Sequence, residues 1–277
     1  MKNNFIIAIM CAGFMFLNFN GVSAAQLDAY KKMVSEKTFT LKYNVTPKIS
    51  RQTNRETTAY GLMTMRYFDL DSIKSKTRRM VVETPNARYQ ETATNVSQLN
   101  GKVQEENATC ALIRNGDYYD WRRTQKGKSV NYAGRVRGGY VRSEVVANSS
   151  NLFKDPYDAL QQVYNYGNPI IAHFLGAIVP PNPNETLLDI PQYSFKGSGK
   201  TSEGLTYEDY RASKNGKFYA IRFYFNDNIM KKAAMVISSN PATSGNYERY
   251  VIDIEEFSSM VDPSYLSLDG KLRIAEK

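Results

Sequence analysis

The sequence holds one histidine and two cysteines, and that scarcity excludes more chemistry than any motif in it admits. A Ser-His-Asp triad or a histidine-based zinc site would have to use His173, which stands between Ile171 and Phe174 in an apolar stripe. It reads as structural or solvent-facing, and dispensable for any activity. Cys11 falls in an apolar leader, so Cys110 is alone downstream and no intramolecular disulfide can form in the processed chain. Beyond the leader the sequence lacks the run of about 18 apolar residues that a membrane-spanning helix needs. Asp69 and Asp71 flank Leu70 without the third carboxylate and glycine of an EF-hand loop, so they read as turn residues. Asp253, Glu255 and Glu256 read as solvated acids near a strand end, not as the facing pair that glycoside hydrolysis requires. The absences leave a non-enzymatic protein with no metal and no cofactor.

What is present begins at the N-terminus. Lys2 gives a short positive start, Phe5 to Phe19 run almost wholly apolar, and Val22-Ser23-Ala24 supplies small residues at cleavage spacing. Residues 1–24 therefore read as a secretory signal peptide, with processing near Ala24 and a mature chain from about Ala25. Ala8-Ile9-Met10 is a poor lipobox for Cys11. The expected compartment is periplasmic or secreted, which argues against nucleic-acid partners. Lys and Arg number 36 against 27 Asp and Glu, a net charge of +9. Such a charge favours anionic partners such as lipid headgroups, lipopolysaccharide or acidic glycans, or serves solubility alone.

The 20 tyrosines and 13 phenylalanines, with many Val, Ile and Thr, favour strands. Gln26 to Val34 has helical spacing through Leu27, Tyr30 and Val34. Phe39, Leu41, Tyr43 and Val45 then alternate with polar residues, which places them on one strand face that Pro47 is expected to end. Tyr60 to Phe68, Lys76 to Glu83 and Ala87 to Ala93 read as further strands. Asn115-Gly116 and Asn215-Gly216 suit type I′ hairpin turns, the first between Cys110–Arg114 and Asp117–Trp121, the second between Leu205–Ala212 and Phe218–Asn226. Asp227-Asn228 makes another turn, Ile229 to Ser238 continues the meander, and Asn246 to Phe257 supplies the last strong strand. The face carrying Tyr219, Ile221, Phe223 and Phe225 lines either a ligand cavity or a closed core.

One segment breaks the β pattern. Asp155 and Pro156 can start a helix, with Leu160, Val163 and Tyr164 on one stripe. Ile170, Ile171, Phe174, Leu175 and Ile178 form a second stripe that stops at Pro180-Pro181. A helix pair so short is expected to cover a sheet. The strongest charge feature lies between Arg122 and Arg142, which also holds Arg123, Lys126, Lys128, Arg135 and Arg137 and no acid. Trp121 leads in, and Tyr132 and Tyr140 are interleaved. The segment reads either as a contact for an anionic surface through Arg122, Arg123, Arg135 and Arg137, all expected exposed, or as a solvated, glycine-rich hairpin.

From residue 205 onward the pattern becomes more specific. Tyr207-Glu208-Asp209-Tyr210-Arg211, Asn215-Gly216-Lys217, Phe218 to Asp227 and Ile229 to Met235 give strand, glycine turn, aromatic strand ending in Phe-Asn-Asp, and strand. This resembles the C-terminal meander of periplasmic proteins with the lipoprotein-carrier (LolA/LolB-like) fold. The leading helix before Phe39-Thr40-Leu41-Lys42-Tyr43 and the midway helix pair fit the same order. The resemblance implies a mainly β (α+β) fold over residues 25–277. That fold is a curved antiparallel sheet or incomplete barrel, with the helix pair packed on its concave face. It also implies a lipid, a lipoprotein acyl chain or another amphipathic ligand held there. The residues expected to touch it are Phe39, Leu41, Tyr43, Ile221, Phe223 and Phe225 from the sheet and Phe174 and Leu175 from the helices. The chain departs from those carriers in its length and in the basic 122–142 segment, and no arginine is matched to the one that holds their lid closed. The alternative is an envelope interaction protein that presents the basic-aromatic segment to an anionic surface or protein partner.

Overall fold

Alternating apolar and polar residues build strands that pair in sequence order on either side of a central seam. The computed structural model describes residues 26–51, 66–68, 77–99, 102–137, 164–183, 185–238 and 247–271. Helix α1 spans Asp28–Ser35. It leads into β1 (Phe39–Arg51), β2 (Arg66–Phe68), β3 (Thr77–Thr84), β4 (Ala87–Leu99), β5 (Lys102–Arg114), β6 (Asp117–Lys126) and β7 (Ser129–Arg137). Helix α2 (Pro169–Ile178) follows, then β8 (Ser194–Lys200), β9 (Thr206–Lys214), β10 (Lys217–Asn226), β11 (Ile229–Ser238) and β12 (Tyr247–Ser258). All pairings are antiparallel, in the order β7-β6-β5-β4-β3-β1-β12-β11-β10-β9-β8, with β2 beside β1. The sheet is curved and unclosed, β7 and β8 forming its two edges.

The hairpins follow their turn residues. Asn115-Gly116 has φ of 53° and 88°, and Asn215-Gly216 has 51° and 73°. Asp227 and Asn228 reach 48° and 65°, so this turn too takes left-handed φ at both central residues. The long-range seam pairs β1 with β12, and it joins the two meanders into one sheet.

Pro47 does not end β1. The strand runs through it to Arg51, with Pro47 opposite Tyr250 of β12. On the other side, β3 pairs with β1 only up to Tyr43 and β2 pairs with it only from Ile49, so among the described residues no ladder there needs the missing proline N–H. The leading helix, the strands after Lys76 and the final strand stand within a few residues of their expected places, β4 running on to Leu99. The expected helix from Asp155, most of the strand from Tyr60, and Asp69 and Asp71 lie outside the described residues.

Both faces of the sheet are covered, by different means. Period two sends Val81 to one face and Met80 and Val82 to the other, and all three are buried. On the concave face α1 and α2 pack over β1 and β9–β12, in a core that includes Leu27, Tyr30, Leu41, Val81, Phe174 and Phe223. On the opposite face a strap after β12, with a 3₁₀ turn at Pro263–Leu266, lays Val261, Tyr265, Leu266 and Leu268 over Met80, Tyr89, Cys110 and Trp121. Arg114 donates to the Leu266 carbonyl at 3.1 Å and Thr40 to the Met260 carbonyl at 2.6 Å, tying the strap to the sheet.

Candidate functional site

Helix α2 carries no charged residue, and every position from Ile170 to Ile178 is buried. A helix that is apolar all round must be enclosed. Asn168 caps it by accepting from the Ile170 N–H at 2.9 Å, Pro169 occupies its first turn, and Pro180-Pro181 follow its end. Just before it, Tyr166 and Gly167 hold φ of 56° and 71°. Left-handed φ costs a tyrosine roughly 1–3 kcal/mol, so this hinge-like turn persists because its side chain is held elsewhere.

What holds it is Arg88 of β4. Its guanidinium donates to the Tyr166 hydroxyl at 2.9 Å, lies 3.9 Å over the Tyr166 ring, and pairs with Glu83 at 2.7 Å. All three groups are largely buried. Burial pushes the Tyr166 hydroxyl well above its ordinary pKa, so it stays protonated. The Tyr43 hydroxyl adds a bond of 3.4 Å to the Tyr166 carbonyl. Sequence reasoning missed this latch, because its partners lie 78 residues apart and each alone is an ordinary strand or turn residue.

Beneath α2 the eight residues expected to meet a ligand come together. Phe39, Leu41, Tyr43, Phe174, Leu175, Ile221, Phe223 and Phe225 belong to one buried cluster, none more than 3% exposed. Phe174 packs on Phe223 at 5.6 Å and on Phe257 at 6.0 Å, and Tyr30 of α1 meets Phe257 at 5.0 Å. In this arrangement the aromatic face forms a packed core. Leu175 also borders a cavity of about 320 Å³ at the junction of the two helices, with Val34, Ala172 and Val179 as apolar walls. Lys37 and Glu185 form an ion pair at this cavity, and Glu83 reaches it from the latch, with its Oε2 unpaired.

His173 is buried and stacks on Tyr219 at 5.4 Å, with no hydrogen-bond partner at Nδ1. Burial, aided by the Lys217 charge, lowers its pKa to about 4, so it is neutral at pH 7. Cys110 is buried on β5 next to Tyr89 and Glu91, and burial pushes its thiol up to about 12. Such a thiol is a poor nucleophile. Among the described residues no three His, Cys, Asp or Glu side chains stand together to hold a metal, and no helix is long and apolar enough to cross a membrane.

The basic segment forms the β6–β7 hairpin at one edge of the sheet. Arg122, Lys126 and Lys128 are exposed there. Arg123 corrects the expectation of exposure. Strand alternation turns it to the other face, where its Nη2 meets Glu91 at 2.8 Å and Glu106 at 2.7 Å. Arg135 and Arg137 pair through β7 with Asp120 and Tyr118, and their side chains lie outside the described residues. Arg142 and Tyr140 lie outside them as well.

No family model and no curated protein matches the chain. Among solved structures it is similar to PNGF-II at 8% identity and TM-score 0.24, over 87% of this chain and 31% of that one. It is also similar to MucB in complex with MucA(peri), at 7% identity and TM-score 0.14, over 84% of this chain and 93% of that one. The chain thus spans less than a third of PNGF-II, and likenesses of this size assign neither a family nor an activity.

Proposed function

We propose that this protein is a non-enzymatic binding protein with a LolA/LolB-like half-barrel, working in the periplasm or outside the cell. It takes up a lipid, a lipoprotein acyl chain or another amphipathic ligand. One observation carries the reading: an uncharged helix, hinged at Tyr166-Gly167 and latched by Arg88, lies on the concave face of an unclosed sheet. Displacing α2 would open the face of Ile221, Phe223 and Phe225 to an acyl chain, whose burial contributes roughly 0.8 kcal/mol per CH₂. About ten methylenes would then contribute roughly 8 kcal/mol, which offsets much of the apolar contact that the displaced helix gives up. The cavity at the helix junction is the natural mouth, with apolar walls inside and the Lys37–Glu185 ion pair among its lining.

The test is organic extraction of natively purified protein with mass spectrometry of the extract, together with uptake of a fluorescent hydrophobic probe. Bound lipid and saturable probe uptake, faster in Tyr166→Phe, are the expected results. An extract free of lipid with no probe uptake by either protein would overturn the carrier reading. A second reading has its own support in the exposed Arg122, Lys126 and Lys128 beside exposed Val130 on the edge hairpin. Salt-sensitive capture of anionic vesicles by a lipid-free protein would favour that interaction role.

A further inference from the structure

The face opposite the helices holds a second cavity, of about 350 Å³, roofed by the C-terminal strap. Four cations reach it, Lys42 from β1, Arg78 from β3, Arg123 from β6 and Lys271 from the strap, against the single carboxylate of Glu91. Two of them are already compensated. Arg123 sits between Glu91 and Glu106, and Lys42 pairs with Glu256 at 2.7 Å.

The other two are compensated less closely. Arg78 holds both carboxylate oxygens of Glu106 at 3.4 Å and stands 4.0 Å from Glu91, and its side chain is 44% exposed. Among the described residues no carboxylate lies within ion-pair distance of Lys271. Its ammonium donates to the carbonyls of Ser264 at 2.5 Å and Tyr265 at 3.5 Å, and lies 5.6 Å from the Trp121 ring and 5.8 Å from the Tyr89 ring. Carbonyl dipoles and π faces orient a cation without neutralising it. A half-exposed guanidinium fork in a loose carboxylate pair and an ammonium with no ion-pair partner among the described residues suit an oxyanion, the fork binding two oxygens and the ammonium acting as a point charge.

We propose that this cavity binds a phosphate-type oxyanion between Arg78 and Lys271, carried by a lipid headgroup or by a small soluble phosphomonoester. Burial lowers the Lys271 pKa, and a bound dianion would raise it again, so ligand and ammonium charge support each other. Because Lys271 and Tyr265 belong to the strap, binding also fastens the strap to the sheet. The site is independent of the lid on the opposite face.

The test titrates the full processed chain at low salt with inorganic phosphate and glycerol 1-phosphate by calorimetry. In parallel it measures flotation with phosphatidylcholine vesicles with and without phosphatidic acid. Lys271→Met and Arg78→Gln should each weaken binding about tenfold, while Lys271→Arg should retain it. Phosphate should raise the melting temperature of the wild type and not of Lys271→Met. Binding confined to phosphatidic acid vesicles identifies a lipid headgroup, binding to soluble phosphates a free ligand, and either supports the site if it depends on Lys271 or Arg78. Should Lys271→Met fail to fold, Arg78→Gln at its half-exposed position carries the comparison. No binding in any arm, or equal binding by wild type and both variants, overturns the proposal.

Discussion

At the scale of single residues, burial decides which of two similar side chains matters. His173 titrates near 4 in the folded protein and near 6.5 unfolded. The unfolded state therefore binds more protons between those values, and stability falls as pH drops through that window. The loss is about 3 kcal/mol by pH 4, since each tenfold difference in proton affinity between the two states is worth about 1.4 kcal/mol. His173→Gln should flatten this part of the stability–pH curve, which denaturant melts at pH 7, 5.5 and 4 would reveal. Arg122 and Arg123 are neighbours with opposite fates. Arg122→Gln should leave stability within about 0.5 kcal/mol. Arg123→Gln removes the close counter-charge of the buried Glu91 and should cost about 3 kcal/mol. Equal melting temperatures for the two variants would contradict the inward pairing. Phe223→Ala should cost about 3–5 kcal/mol, because the ring is fully buried between Phe174 and Tyr210. The sequence left that face open between cavity and core, and α2 closes it.

At the scale of elements, α2 is set by its surroundings as much as by its own pattern. A Cβ on Gly176 would stand 2.5 Å from Ile190 Cγ2, so the helix approaches the 186–193 segment through a missing side chain. Alanine gains about 1 kcal/mol in helix propensity, while overpacking costs about 1–3 kcal/mol. Gly176→Ala should therefore lower the melting temperature, and a rise would show that the helix can shift at no cost. Tyr166→Phe removes one buried hydrogen bond to Arg88 and should cost about 1 kcal/mol in chemical denaturation. It should also raise hydrogen exchange selectively in α2, since the latch, and not the sheet, is what the hydroxyl holds. The helix was legible from Ile170, Phe174 and Leu175 and the flanking prolines. Its hinge was not, because a left-handed tyrosine leaves no mark on composition.

For the whole molecule, one curved sheet has two different covers, helices on the concave side and a strap on the other. Removing residues 259–277 would uncover Tyr89, Cys110 and Trp121. The four half-buried strap residues suggest a loss of about 4 kcal/mol at roughly 1 kcal/mol each, a large part of an ordinary domain's stability. A truncated protein that binds no hydrophobic dye and melts with the full chain would contradict this role. The sequence by itself determined the local parts. Alternation at Phe39–Tyr43, the Asn-Gly turns at 115 and 215 and the apolar stripe of α2 depend only on neighbours along the chain. Tertiary structure alone decided that β1 meets β12, that Arg88 reaches Tyr166, that Arg123 turns inward, and that Tyr265 stacks on Tyr89 at 5.5 Å. Each of these depends on sheet register and on segments far apart in sequence. A one-residue slip in register would exchange the two faces while leaving every local pattern intact.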